Sequence, residues 1–191
     1  MSLAYVLVIL LKFLIVSGNK WDCADYYWRD YHETIPDDAI PAGTDSHGKP
    51  LYIGLAYVRG YELLPATILP SEKLARTTAY AKVFNTRDNV KILCSPYPEA
   101  FEWISIESRD LHKYGKHNLI PGGSEVGENL YIGRVFRDNG VIVGKIFRHE
   151  RQNRGIWFPL KNTHGNSLSY EILNYNCDSA IPKIDPRVNV E

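Results

Sequence analysis

Apolar residues in this chain fall in short runs, not at the spacing of a helix face. LYIGLAYV at 51–58, AYAKVF at 79–84, NVKIL at 89–93, LYIGRVF at 130–136, VIVGKIF at 141–147, GIWFPL at 155–160 and LSYEIL at 168–173 are rich in β-branched and aromatic residues. Turn residues separate them, so each predicts a strand. Between two of these runs stands Arg137-Asp138-Asn139-Gly140, in which Asn-Gly supplies the positive φ values of a tight hairpin. Residues 71–79 are the one stretch compatible with a short helix. Short strands joined by tight turns pair antiparallel, and the predicted fold class is all-β.

The pattern occurs twice. IPAGTDSHGKPLYIG at 40–54 returns as IPGGSEVGENLYIG at 120–133, one residue shorter ahead of the second LYIG. Ile40 and Ile120 lie 80 positions apart, Leu51 and Leu130 lie 79 apart, and Ile92-Leu93 and Ile172-Leu173 again 80, a constancy that signals duplication. On the same reading Asn85-Thr86-Arg87-Asp88 and Asn162-Thr163-His164-Gly165 occupy matching places. An open array needs about three or more repeats to bury its faces. Two copies instead close on each other as tandem antiparallel repeats about a pseudo-two-fold axis, so that each candidate site occurs twice. The expected organisation is a leader over 1–18, an aromatic extension over 19–33, a first repeat over 34–102, a second over 103–176 and a tail over 177–191. Trp21, Tyr26, Tyr27, Trp28 and Tyr31 crowd the extension, where they are expected to plug an open end of the core.

At 191 residues and 45% hydrophobic, the chain can fill one core. Lys plus Arg equals Asp plus Glu at 22 each, so no global field attracts nucleic acid or an anionic membrane, and neither partner is expected. The densest basic stretch, KIFRHERQNR at 145–154, is interrupted by Glu150 and by a turn at Asn153-Arg154-Gly155, and reads as a strand edge and loop. MSLAYVLVILLKFLIVSG at 1–18 is the only long apolar run, with small residues placed for cleavage, and reads as a secretory signal. As a membrane anchor it would fall short of the ~20 residues that span a bilayer and would carry Lys12 near its middle. Secretion permits disulfides. Two arrangements of Cys23, Cys94 and Cys177 stay open: a Cys23–Cys177 bridge with Cys94 buried between the repeats, or three reduced thiols.

Catalytic signatures are missing: no nucleophile elbow, no zinc-protease helix, no phosphate-cradling glycine loop. Neither the spacing of His112 and His117 nor that of Asp37-Asp38 suits a metal, so no enzyme, metal or cofactor is expected. The repeats do place an acidic residue in a turn and a basic one about twenty residues on. In the second copy these are Glu125, in GGSEVG, and Lys145, after VIVG; in the first they are Asp45, in AGTDSHG, and Thr67, in LPATIL, where the base is lost. A carboxylate and an ammonium side by side can grip two adjacent hydroxyls through charge-assisted hydrogen bonds, which is the pattern a sugar presents. A surface ion pair is the plain alternative.

The turn pattern G-x-D-x-x-G followed by LYIG, Arg134 after the second LYIG, Trp103 ahead of the second unit and SYEIL near its end together resemble the DM-nine repeat family, also called natterin-like, over roughly residues 28–175. The resemblance implies a β-rich tandem-repeat protein that binds mannose-type glycans without calcium in innate immune recognition. The apolar N-terminus implies secretion, a cytosolic or vesicular place being the alternative if it is not a working signal, and a homodimer is a candidate assembly. It places the family's acidic position on Asp45 and Glu125 and its lysine position on Thr67 and Lys145. Glu125 stands for the usual Asp, Thr67 for Lys, and Leu55 where the second repeat has Arg134, so one competent site per chain is expected, at Glu125 and Lys145. An interaction or structural protein that keeps the fold without glycan binding is the alternative. Membrane insertion is not expected, since 15 residues follow Asn176.

Overall fold

The computed structural model describes residues 25–115, 118–149 and 154–180. The candidate leader, Trp21 and Cys23 lie outside them.

The described chain forms two seven-stranded antiparallel sheets of one topology. The first holds β1 (Tyr27–Asp30), β2 (Pro41–Thr44), β3 (Pro50–Val58), β4 (Glu62–Leu69), β5 (Leu74–Ala79), β6 (Lys82–Thr86) and β7 (Val90–Cys94). The second holds β8 (Phe101–Glu107), β9 (Pro121–Glu125), β10 (Glu128–Arg137), β11 (Gly140–Phe147), β12 (Ile156–Pro159), β13 (His164–Ser167) and β14 (Ser169–Tyr175). The order β1-β7-β3-β4-β5-β6, with β2 beside β3, is reproduced strand for strand as β8-β14-β10-β11-β12-β13, with β9 beside β10. The LYIG copies are the central strands β3 and β10. Ile53 faces Thr67 as Ile132 faces Lys145, so the sheet register makes Thr67 and Lys145 equivalent.

The halves pack through β2 and β4 of one sheet and β9 and β11 of the other. Period-two alternation divides each strand between two cores. Ile40, Ile53 and Leu93 meet Ile120, Ile132 and Leu173 in a shared central core, with Val141 and Val143 from β11. The far faces carry separate clusters: Ile92, Ala56 and Cys94 under Tyr31 on the first sheet, and Ile146, Ile156 and Phe158 under Leu111 on the second. Leu111 comes from a 3₁₀ turn, Ser108–Tyr114.

Four expectations about strands and turns need correction. Leu74–Ala79 is strand β5, not a helix: its side chains are buried on both faces, and burial outweighs the helix preference of Leu and Ala. The aromatic segment is not only a plug, because Tyr27–Asp30 is β1, an edge strand paired with β7, in which Trp28 occupies the place of Trp103 in β8. The turn after β10 is made by Asp138 and Asn139, both at positive φ, while Gly140 pairs with Arg137 as the first residue of β11. A Cβ on Gly140 would stand 3.0 Å from Ser46 N, so close approach is what that glycine allows. Finally, Asn85 matches Asn166, since they face the equivalent residues Arg76 and Trp157, while Asn162 and Thr163 lie in the turn between β12 and β13 and His164 and Gly165 open β13.

Cys94 is fully buried, but on the far face of the first sheet, not between the repeats. Its thiol is free, and burial pushes it up to about 11. Cys177, which opens a single helical turn, is disulfide-bonded.

Candidate functional site

The β9–β10 hairpin sets the position of Glu125. A register shift in this pair has an extra residue on β9, and Gly123 takes the left-handed conformation there at φ +84°. A Cβ on Gly123 would lie 2.2 Å from the carbonyl oxygen of Leu63, so only glycine lets β9 lie against β4. Val126 and Gly127 then form a two-residue turn, pinned by hydrogen bonds from Ser124 Oγ and Gly127 N to the carboxylate of Glu62 in the first repeat. Glu125 is left in strand register, 4% exposed.

Lys145 on β11 meets it there. Its Nζ donates to Glu125 Oε2 and, at 2.8 Å, to the backbone oxygen of Thr78 at the end of β5. That carbonyl belongs to the first repeat, so the site is built across the two halves. Lys145 is also 4% exposed, and its Nζ stands 5.6 Å from the Phe147 ring centroid. Burial pulls the Lys145 pKa below its usual value, and the Glu125 carboxylate opposes that pull. An ammonium has three N–H bonds and a carboxylate two oxygens. One N–H of Lys145 and Oε1 of Glu125 thus have no protein partner among the described residues.

The pair lines a cavity of about 630 Å³, within the range of small-ligand sites. Its lining also takes in Tyr80 and Ala81 from the β5–β6 turn of the first repeat, Val126 and Glu128 from the β9–β10 hairpin, and Trp157 and His164 from β12 and β13. Trp157 and His164 stack at 5.2 Å between ring centroids, and Trp157 Nε1 and His164 Nδ1 are buried without a partner among the described residues. Tyr80 and Val126 are large apolar residues exposed at the two turn tips, 65% and 58% respectively. Both tips hold side chains at positive φ, Tyr80 at +44°, Ala81 at +62° and Val126 at +50°. Such backbone is costly for residues other than glycine, most of all for a β-branched one.

The first repeat has no counterpart of this pair. Its β2–β3 turn is one residue longer, and Asp45 accepts hydrogen bonds from the backbone N–H groups of His47 (2.8 Å) and Lys49 (2.9 Å) in its own loop. Those bonds, Lys49 first, hold its carboxyl below the ordinary Asp value. Thr67 instead accepts from Val143 N across the repeat interface at 2.9 Å. In register, Arg76 and Val83 stand where the second repeat has Trp157 and His164. Arg76 is held by Asn85 and Glu72.

Arg134, the other residue that separates the repeats, is structural. Its Nε pairs with Glu171 at 2.6 Å, it donates to the Ala42 carbonyl of the first repeat, and it lies 4.3 Å over the Trp103 ring. Among the described residues no group of three or more His, Cys, Asp or Glu is placed to hold a metal ion.

Comparison with known sequences agrees with the duplicated architecture. The DM9 repeat matches residues 57–163, more than half of the chain. The chain belongs to the DM9 repeat family. Among solved structures, this DM9 chain is similar in fold to the nematode sperm cell motility protein MFP2B, with a TM-score of 0.56 and 13% identity over 79% of its own length. It spans 46% of that protein. No curated protein sequence matches it.

Sequence reasoning named Glu125 and Lys145 and missed the rest of the cavity. Thr78 contributes a backbone oxygen, which leaves no trace in residue type. Trp157 and His164 lie in runs already read as strand and turn.

Proposed function

We propose that this DM9 protein is a lectin-like glycan binder whose single competent site is the cavity over Glu125 and Lys145, and that it binds without chemistry. The observation that carries this reading is the pair itself, which keeps one donor and one acceptor side by side on the floor of a cavity. Neighbouring hydroxyls of a hexose, each both donor and acceptor, complement that arrangement. Tyr80 is placed to pack on the apolar face of a sugar ring. Mannose-type ligands, calcium independence, secretion and a role in innate defence extend the reading through the family, and belong to the proposal. An open polar site of this size binds a monosaccharide weakly, so a multivalent glycan or a dimer would supply avidity.

Calorimetric titration with mannose oligomers tests it. One site per chain is expected, with affinity lost in Lys145→Met and reduced in Tyr80→Ala, whose exposed side chain leaves folding intact. Two equal sites, or retention on a mannan resin that free mannose does not displace, would sink the assignment.

A second reading rests on the fold match to a protein named for sperm motility. The DM9 body would then be an interaction module, and its surface, not the cavity, would hold a protein partner. In that case no sugar would compete with the partner.

A further inference from the structure

A second cavity, of about 300 Å³, opens on the other face of the second sheet. Lys145 and Phe147 point from β11 toward the first repeat, while Ile146 points into the far-face cluster. Alternation carries Arg148 to that far side with Ile146. The cavity is lined by Arg109 and His112 from the 3₁₀ turn and by Arg148, His149 and Arg154 from the two ends of the β11–β12 connection. Among the described residues no carboxylate lines it. The neighbouring Asp110 is held by Lys113 at 2.6 Å and stands 4.0 Å from Arg109 Nε. Arg148 and Arg154 make no ion pair among the described residues, although the chain carries as many acids as bases. Backbone bonds hold the two in place: Arg148 N donates to Asn129 O at 2.9 Å, and Arg154 O accepts from Asn166 Nδ2 at 2.9 Å. Below them lie the buried Leu111 and the ring of Tyr131.

Three guanidinium groups that face one concavity give it a positive potential that an anion seated among them would feel from all three. Their planar forks match the paired oxygens of a tetrahedral oxyanion. The small volume, the apolar floor and the neutral chain fit one charged group on a small molecule, not a polyanion running along a basic stripe. We infer that this cavity binds the oxyanion of a phosphate or sulfate monoester carried on a small sugar-sized molecule. It lies on the opposite face from Glu125 and Lys145, and it does not rest on the mannose reading.

Calorimetry with a hexose 6-phosphate, a hexose 6-sulfate, inorganic phosphate and the neutral hexose, at low ionic strength, tests it. Saturable binding of one ester per chain is expected, weakened by added salt. Removing one charge-assisted contact costs roughly tenfold in affinity, and that loss is expected for Arg109→Ala and for Arg148→Ala. Both side chains are exposed, so the fold should survive, which circular dichroism checks. Lys82→Ala and Arg59→Ala, exposed bases elsewhere, should bind as the parent does. Heats no larger than dilution for all the anions, or binding unchanged in both Arg variants, would overturn the site. Inorganic phosphate binding more tightly than both esters would overturn the ester assignment.

Discussion

Lys145→Met removes one member of an ion pair whose side chains are 5% and 4% exposed. Water has little access to the carboxylate that remains, so Glu125 must stay charged without a partner or take up a proton. Breaking a buried pair from one side costs about 3–5 kcal/mol, whereas a pair open to solvent is worth about 0–1 kcal/mol. At about 2–4 °C per kcal/mol for a chain of this size, the single variant should melt about 6–20 °C lower. Glu125→Gln should also destabilise, by less, because the Thr78 carbonyl still accepts from the ammonium. The double variant, Glu125→Gln with Lys145→Met, leaves no buried charge and should recover most of the loss. Urea unfolding of the four proteins closes the cycle, with a coupling of about 2–3 kcal/mol expected between the two positions. Single variants within about 1 kcal/mol of the parent would refute the reasoning, for the pair would then be solvated. So would a double variant no better than the sum of its parts.

Three further outcomes follow. Gly123→Ala should destabilise the protein by at least about 1–3 kcal/mol through backbone strain alone, with the Leu63 carbonyl clash added, and the urea midpoint reads it. The Asp45 carboxyl is held low in the folded state, so its contribution is present above the unfolded value of about 3.9 and disappears as pH falls through the folded one. Asp45→Asn should flatten the fall of stability below about pH 4, measured as melting temperature against pH. Cys94, buried with its thiol raised to about 11, should resist iodoacetamide at pH 8 until the protein unfolds, and fast labelling of the native protein would contradict its burial.

The sheets were largely legible because strand period and repeat spacing are both carried by residue type. LYIG marks the centre of each sheet, and the match of Thr67 with Lys145 made on the repeated motifs is the register found. Glu125 and Lys145 could be paired from sequence because they sit on one run of three consecutive antiparallel strands, β9 to β11. What was not legible crosses the repeat boundary or rests on backbone. Nothing in TTAYA at 77–81 marks a carbonyl aimed at Lys145, and LARTTA carries helix formers that burial turns into a strand. Likewise the arginine cavity joins Arg109 to Arg148 through the fold, across 39 positions of sequence that no motif connects. The different fates of Asp45 and Glu125 came down to one inserted residue, which gave the first loop enough slack to wrap its own carboxylate.

The oxygen that Thr78 offers to Lys145 has an evolutionary corollary. An ancestral single module could have assembled this constellation only by self-association, borrowing the carbonyl from a sister molecule. Expressed alone, the second half of the chain would form an incomplete cleft, because an oxygen that completes it belongs to the first.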